Sequence, residues 1–174
     1  LRDRKALGSS GACEAIVGAL KTHVTNDSLL SVILRRTRSL SDRNLAIRGC
    51  DAIFQLARSN DSNERKSKNG SQERRHKLVI AGSCEVVAKL FLRHGEEAAV
   101  IHAAMKVVVV LAEGREPGNN VVAKRLTLLG CCAAVVDALA TFPVNSQLVK
   151  WSLRAACVLT QACRLSVQLL VDEG

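Results

Sequence analysis

Three glycines, each preceded by a leucine and followed by the same apolar pattern, constrain the fold of this chain more than any other feature. Leu7, Leu78 and Leu126 stand four residues before Gly11, Gly82 and Gly130, respectively. Residues two, five, six, nine and twelve places after each glycine share one face of a three-turn helix. These residues are Cys13, Ile16, Val17, Leu20 and His23, then Cys84, Val87, Ala88, Phe91 and His94, then Cys132, Val135, Val136, Leu139 and Phe142. The pattern predicts a short helix, a glycine turn and a longer helix, repeated along the chain.

A third helix is predicted to complete each unit, aligned on Leu56, Leu111 and Leu159. Positions three, four and seven before these leucines hold small or branched residues, which let neighbouring helices approach closely. They are Gly49, Ala52 and Ile53, then Ala104, Val107 and Val108, then Ser152, Ala155 and Ala156. Positions one, five and eight before the leucines hold a mixed set of side chains that we expect to face outward.

The first unit contains an insertion between its glycine and its third helix. The stretch from the glycine to the aligned leucine is 45 residues long in the first unit and 29 in each of the other two. We place the extra residues at 28–43, as an added helix. The insert contributes four arginines, Arg35, Arg36, Arg38 and Arg43. An alternative makes Leu29–Leu40 the third helix and Leu45–Arg58 the added one.

Basic residues concentrate between the first and second units. Residues 60–72 include no apolar side chain, which predicts a solvated, flexible loop. The insert, this loop and the residues after it form a predicted basic patch. Its further members are Arg65, Lys66, Lys68, Arg74, Arg75 and Lys77. The whole chain has a net charge of +9, and such a field attracts acidic proteins, nucleic acid or anionic membranes.

Composition favours helix throughout and an intracellular location. The sequence has no Tyr, one Trp and two Pro, and no useful length of it alternates apolar with polar residues. Its seven cysteines are an odd number, and five fall in apolar helical patterns where Cys acts as a small hydrophobe. We therefore expect a reducing compartment, the cytoplasm, without a signal peptide or a membrane span. The sequence begins without Met inside a predicted helix, so we expect a fragment of a longer protein.

The repeated pattern resembles the armadillo repeat. The resemblance rests on Leu7, Gly11, Ala12, Ile16, Val17 and Leu20, with Ala52, Leu56 and Ala57 after them. It covers nearly the whole chain and implies an all-α, right-handed α-solenoid of three-helix repeats, with a HEAT-type solenoid as the near alternative. Residues 1–58 would form repeat 1 with the helical insert 28–43, and residues 59–114 the basic loop and repeat 2. Residues 115–163 would form repeat 3, and residues 164–174 the truncated start of repeat 4.

The resemblance also implies where a partner binds. In armadillo proteins the third helices line a groove that holds an extended peptide or a helix of a partner protein. The matching positions here are Arg48, Asp51, Gln55, Lys106, Val110, Trp151, Arg154 and Val158. Trp151 and Arg154 are the expected anchors, because Trp and Arg dominate the energetics of protein interfaces. The resemblance therefore predicts a non-catalytic protein-binding or assembly scaffold, and the net positive charge fits an acidic partner.

No sequence motif indicates catalysis, a cofactor or a metal site. Cys and His recur at matched positions, but no CxxC pair occurs and Phe142 replaces the histidine in the third unit. Zinc ligands are not exchanged for phenyl rings, so we expect structural roles for these residues. His76 and His102 are expected to be solvated surface residues. The glycine-rich turns lack the Lys-Ser/Thr ending of a phosphate-binding loop.

The sequence also fits two other functions. The basic insert and loop suit a subunit that associates with nucleic acid or ribonucleoprotein, although aromatic residues for base stacking are scarce. A second alternative is the helical-repeat arm of a multidomain enzyme or kinase. A steep loss of binding as salt rises would favour the nucleic-acid function over the scaffold.

Overall fold

The structure, a computed structural model, describes residues 11–25, 40–58, 64–113, 117–162 and 164–173. Every regular element in these ranges is an α-helix, which confirms the predicted all-α class. The helices are α1 (Ala12–Thr25), α2 (Leu40–Ala57), α3 (Glu64–Ala81), α4 (Ser83–His94), α5 (Ala98–Ala112), α6 (Pro117–Leu128), α7 (Cys131–Thr141), α8 (Ser146–Ala162) and α9 (Arg164–Glu173). The chain divides into two compact units that differ from the predicted repeats. The first unit is Leu1–Val86 and the second unit is Val87–Gly174.

The glycines at three predicted turns adopt left-handed backbone conformations. The φ angle is +75° at Gly11, +94° at Gly82 and +84° at Gly130. A residue with a Cβ would cost about 1–2 kcal/mol in this conformation, whereas glycine permits the sharp change of direction before a helix. The predicted glycine turns are therefore confirmed at these positions. Leu7, which stands before Gly11 in the same pattern, lies outside the described residues.

The first unit packs α1, α2 and α3 against one another. Cys13, Val17 and Leu20 of α1 are at most 2% exposed, as the predicted apolar face requires. On α2, Ile53 is fully buried. Gly49 lies against Leu20, since a Cβ on Gly49 would stand 2.4 Å from Leu20 Cδ2. The small residue on the predicted third helix thus allows α1 and α2 to approach closely.

Two predicted boundaries in the first unit are wrong. The insert predicted at 28–43 extends too far, because residues 40–43 form the first turn of α2; residues 28–39 lie outside the described ranges. The loop predicted at 60–72 is helical from Glu64 onward, as the first half of α3. Glu, Arg, Lys and Gln are good helix formers, so a polar segment can continue a helix whose later turns reach the core. Leu78 provides that contact with the core, since it is fully buried.

The second unit is built around α5, whose C-terminal half is buried on every side. Residues 107–112 of this helix are all at most 3% exposed. A helical segment that is apolar all round is buried, and α8 packs along α5. α6, α7 and α9 also pack against α8, so this helix contacts most of the second unit.

A buried polar contact joins α6 to α9 within the second unit. Thr127 Oγ1 donates to the carbonyl of Ala123, 2.9 Å away, one turn earlier. Ser166 Oγ lies 2.7 Å from Thr127 Oγ1. Because the hydroxyl hydrogen of Thr127 is already used, Ser166 is the donor in this second bond. Both hydroxyls are thereby satisfied in the protein interior, where an unpaired one would be destabilising.

The apolar face predicted after each glycine is largely buried in the second unit as well. Val87 of α4 is fully buried, and Cys132 and Val135 of α7 are at most 2% exposed. The predicted start of repeat 4, residues 164–174, contains α9. Within the described ranges, no helix combines the length and the apolar character needed to cross a membrane.

Candidate functional site

Trp151 and Arg154, the two predicted anchors, lie side by side on α8. A separation of three residues places them at neighbouring positions on one helix face. The guanidinium carbon of Arg154 lies 5.4 Å from the centre of the Trp151 ring, within the range of a cation–π interaction. Trp151 is half-buried and Arg154 is exposed. The two side chains therefore form one surface feature, a cation stacked on an indole.

Arg154 also binds Glu113, a residue that the sequence pattern does not single out. Arg154 Nη2 donates to Glu113 Oε1 over 2.6 Å, and the two side chains are 48% and 45% exposed. Glu113 is the C-cap residue of α5, and its own N–H donates to the Val109 carbonyl. α5 has no basic residue in its last turn, so Arg154 supplies the positive charge that a helix C-terminus favours.

His102 of α5 contacts Trp151 from the neighbouring helix. The two ring centres are 6.5 Å apart and the ring planes are inclined at 64°, an edge-to-face arrangement. The solvated position predicted for His102 is therefore wrong, since packing of α5 on α8 leaves the ring half-buried. His76, in the first unit, is exposed as predicted. Glu113 and Arg154 are 41 residues apart in sequence, so no local pattern indicates their contact.

The other residues predicted for the groove in the second unit differ in exposure. Lys106 on α5 and Val158 on α8 are half-buried. Val110 is only 3% exposed, so its prediction as a groove residue is wrong. The reason is that the C-terminal half of α5 is enclosed on all sides, and position in the repeat does not reveal this.

In the first unit, three predicted groove residues lie on α2. Arg48 and Gln55 are exposed, and Asp51 is half-buried. Their exposure agrees with an outward-facing side of α2. A cation–π contact also occurs at the end of this helix, where the Arg58 guanidinium carbon lies 5.9 Å from the centre of the Phe54 ring.

The predicted basic patch is described only in part. The structure does not describe Arg35, Arg36 and Arg38, nor the side chains of Arg65, Lys66 and Lys68. Arg43 is exposed. Lys77 Nζ lies 3.1 Å from Glu73 Oε1, and the two residues are one helical turn apart. This ion pair offsets part of the positive charge of Lys77.

Two arginines of the predicted patch stabilise the fold instead. Arg74 Nε donates to the Leu56 carbonyl (2.8 Å), and Arg75 Nε donates to the Ala57 carbonyl (3.2 Å). Leu56 and Ala57 end α2, where the last carbonyls have no partner inside the helix. Arg74 is 8% exposed and Arg75 is half-buried. The surface role predicted for Arg74 is therefore wrong, because the negative end of α2 draws its guanidinium inward.

The second unit also contains an apolar cavity that the repeat pattern does not predict. Its volume is about 200 Å³, and its walls come mainly from α4 and α7. Phe91 and Leu92 line one side, and Ala134 and Ala138 line the other. Leu92 is 88% exposed, so the cavity opens at the surface. The small side chains on α7 are the sequence signal for this space, since alanine leaves room that a larger residue would fill.

His94 and Cys13, two of the recurrent residues, have structural surroundings. His94 is 3% exposed, and its Nδ1 lies 3.0 Å from Glu97 Oε1, across the turn between α4 and α5. Burial raises the pKa of the Cys13 thiol, and the nearby Glu14 carboxylate acts in the same direction. A neutral, buried thiol is a poor nucleophile. In the part of the chain that the structure describes, no three His, Cys, Asp or Glu side chains are grouped as metal ligands.

Comparisons of the chain with protein-family models, curated proteins and solved structures gave no match. The candidate site is therefore defined by its geometry. Its described members in the second unit are Trp151, Arg154, Glu113 and His102, with Lys106 on the same helix as His102.

Proposed function

We propose that this chain is a non-catalytic protein-binding scaffold of armadillo type, with three helical repeats and the start of a fourth. Its partner is an extended peptide or a helix that lies on the outward face of the third helices. In the second unit this face carries Trp151 and Arg154, which act as the anchors. The observation that carries the proposal is the half-exposed guanidinium of Arg154 stacked over the Trp151 ring.

The repeated glycine turn supports the armadillo assignment. Gly11, Gly82 and Gly130 have positive φ, and the cysteine two residues after each of them is buried. In the second unit α5 and α8, the two helices predicted as third helices, pack against each other as neighbouring repeats of a solenoid do. Among the described residues, five cysteines are buried at core positions, which supports a reducing compartment, and we propose the cytoplasm.

The stacked pair has the properties of an interface anchor. Trp and Arg are the residues most enriched among interface hot spots, and both are large enough to fill a partner's pocket. Stacking restricts the long Arg154 side chain before a partner arrives, which reduces the entropy lost on binding. The edge-to-face contact with His102 restricts the Trp151 ring in the same way.

A peptide-display selection tests the proposal and needs no identified partner. Random dodecamer peptides are selected on the chain, and the enriched sequences are synthesised with a fluorescent label and titrated by anisotropy. Trp151 is the single Trp and the sequence has no Tyr, so intrinsic fluorescence reports on this site directly. We expect enriched peptides to change the fluorescence emission of Trp151. The double variant, Trp151→Ala with Arg154→Ala, should bind them more than tenfold more weakly, a loss of about 1.4 kcal/mol.

Leu153 provides the matched control. It lies between the anchors in sequence and is 55% exposed, but it projects from another side of α8. Leu153→Ala should change the dissociation constant by less than about twofold, and circular dichroism should show unchanged helix content in both variants. Equal affinities of wild type and the double variant, or equal losses in the double variant and Leu153→Ala, would contradict the proposal. Failure to select any peptide would count against it as well.

A further inference from the structure

The contact between Arg154 and Glu113 indicates the chemistry of the partner. On the basis of the proposed function, we infer that Glu113 competes with the partner for Arg154. The Glu113 carboxylate binds Arg154 in the free protein, and a partner's Asp or Glu side chain replaces it. The partner is therefore an acidic peptide, and its carboxylate binds Arg154 beside the Trp151 ring. The inference rests on the hydrogen bonding of Arg154, the position of Glu113 at a helix end and the stacking on Trp151.

Arg154 is placed to bind a second carboxylate. Among the described residues, its guanidinium makes one hydrogen bond, from Nη2 to Glu113, and its side chain is 48% exposed. A guanidinium carries further N–H donors in a planar fork that matches the two oxygens of a carboxylate. Glu113 engages one end of this fork. A bidentate partner carboxylate would make more bonds to Arg154 than Glu113 makes.

Glu113 is easily displaced from Arg154. Ion pairs between half-exposed side chains contribute little to stability, because water solvates both charges when they separate. The carboxylate also lies at the C-terminus of α5, where the helix dipole disfavours a negative charge. Arg154 compensates that negative charge when no partner is bound. A partner carboxylate held by additional contacts on Trp151 therefore competes at Arg154 with a weak, half-exposed ion pair.

Stacking on Trp151 keeps the guanidinium in place during the exchange. The ring lies under Arg154 whether the carboxylate comes from Glu113 or from a partner, so one face of the cation stays covered. Positive charge on the same two helices favours an acidic peptide. Lys150 on α8 is exposed and Lys106 on α5 is half-buried.

Glu113→Gln tests the inference, since it removes the charge and keeps the size and the carbonyl oxygen. The probes are the selected dodecamers and versions in which every Asp and Glu is replaced by Asn and Gln. We expect acidic residues to be enriched among the dodecamers. Glu113→Gln should strengthen binding of an acidic dodecamer about threefold to fivefold, as expected for loss of one exposed competing charge, and leave its amide version unchanged. Adding Arg154→Gln to Glu113→Gln should abolish the gain.

The outcomes separate this inference from the proposed function. If Glu113→Gln leaves acidic binding unchanged or weakens it while the Trp151 and Arg154 double variant still loses affinity, the competitor role is refuted and the scaffold function stands. If the double variant keeps full affinity, the proposed function fails as well. A twelve-residue oligothymidylate could instead bind more tightly than the acidic dodecamer, with a steep salt dependence. That result would identify the site as a phosphate-binding site and overturn the inference. Circular dichroism of each variant verifies that the fold is retained.

Discussion

Gly49 is the position where a single added methyl group should disturb the first unit most clearly. It lies in the interior of α2, and an ideal Cβ there would stand 2.4 Å from Leu20 Cδ2, 2.6 Å from Cδ1 and 2.7 Å from Cγ. Leu20 is 2% exposed, so it has little room to move away. Gly18 on α1 is the matched control, because a Cβ there would meet nothing within 4 Å.

The two substitutions should have opposite effects on stability. Replacing Gly by Ala in a helix interior stabilises by about 1 kcal/mol, and Gly18→Ala should show this gain. At Gly49 the same gain is opposed by overpacking, which costs about 1–3 kcal/mol. Carbon atoms prefer separations of about 3.5–4.0 Å, so an overlap of at least about 0.8–1.1 Å with three atoms places the cost at the upper end. We therefore expect Gly49→Ala to destabilise the protein by about 2 kcal/mol.

A double-mutant cycle attributes the effect to Leu20. Leu20→Ala alone should destabilise by about 2–5 kcal/mol, but it removes the three atoms that a Cβ on residue 49 would meet. In that background Gly49→Ala should become neutral or stabilising, a coupling of about 2–3 kcal/mol. Urea unfolding followed by circular dichroism measures the free energies, and hydrogen exchange of α1 and α2 assigns the loss to the first unit. Equal stability of Gly49→Ala and Gly18→Ala, or no rescue by Leu20→Ala, would refute the close packing of these helices.

Three other predictions concern residues of the first unit. Arg74→Met should lower the free energy of unfolding by about 1.5–3 kcal/mol, because the Leu56 carbonyl loses a charged donor. Urea unfolding measures the loss, and an unchanged midpoint would exclude this capping role. Burial raises the pKa of Cys13, so at about pH 8 iodoacetamide should label it much more slowly than exposed Cys157, and equal labelling by peptide mass spectrometry would contradict its burial. The raised pKa of Cys13 also contributes to the stability of the fold. This contribution is fully present below the usual thiol pKa of 9.0, and it should be lost as the pH rises through the higher pKa of the folded state.

The features that the sequence predicted correctly depend on short-range periodicity. Each glycine turn requires positive φ at a fixed distance from an apolar stripe, and both parts are visible within about fifteen residues. The buried cysteines at 13, 84 and 132 follow from the same spacing. Trp151 and Arg154 could be placed on one face of α8 for this reason, since three residues along a helix return to nearly the same side.

The features that the sequence did not predict depend on contacts between distant segments. Residues 64–72 have no apolar side chain, and their helical state follows from continuity with the buried end of α3. Val110 occupies an outward position in the repeat, but neighbouring helices enclose it. Glu113 meets Arg154 across two helices, and nothing in the residues around either one indicates the other. Such contacts become visible only when the helices are assembled.

The arginines of α3 show why net charge alone does not define a binding surface. Arg74 and Arg75 count toward the +9 of the chain, yet their Nε atoms donate to carbonyls at the end of α2. A helix C-terminus carries roughly half a negative charge, so part of their field is cancelled inside the first unit. Arg154 differs because it reaches a helix end through Glu113 while about half of its side chain stays exposed. Exposure rather than formal charge distinguishes an arginine that caps a helix from one that can bind a partner, and the proposal therefore rests on Arg154.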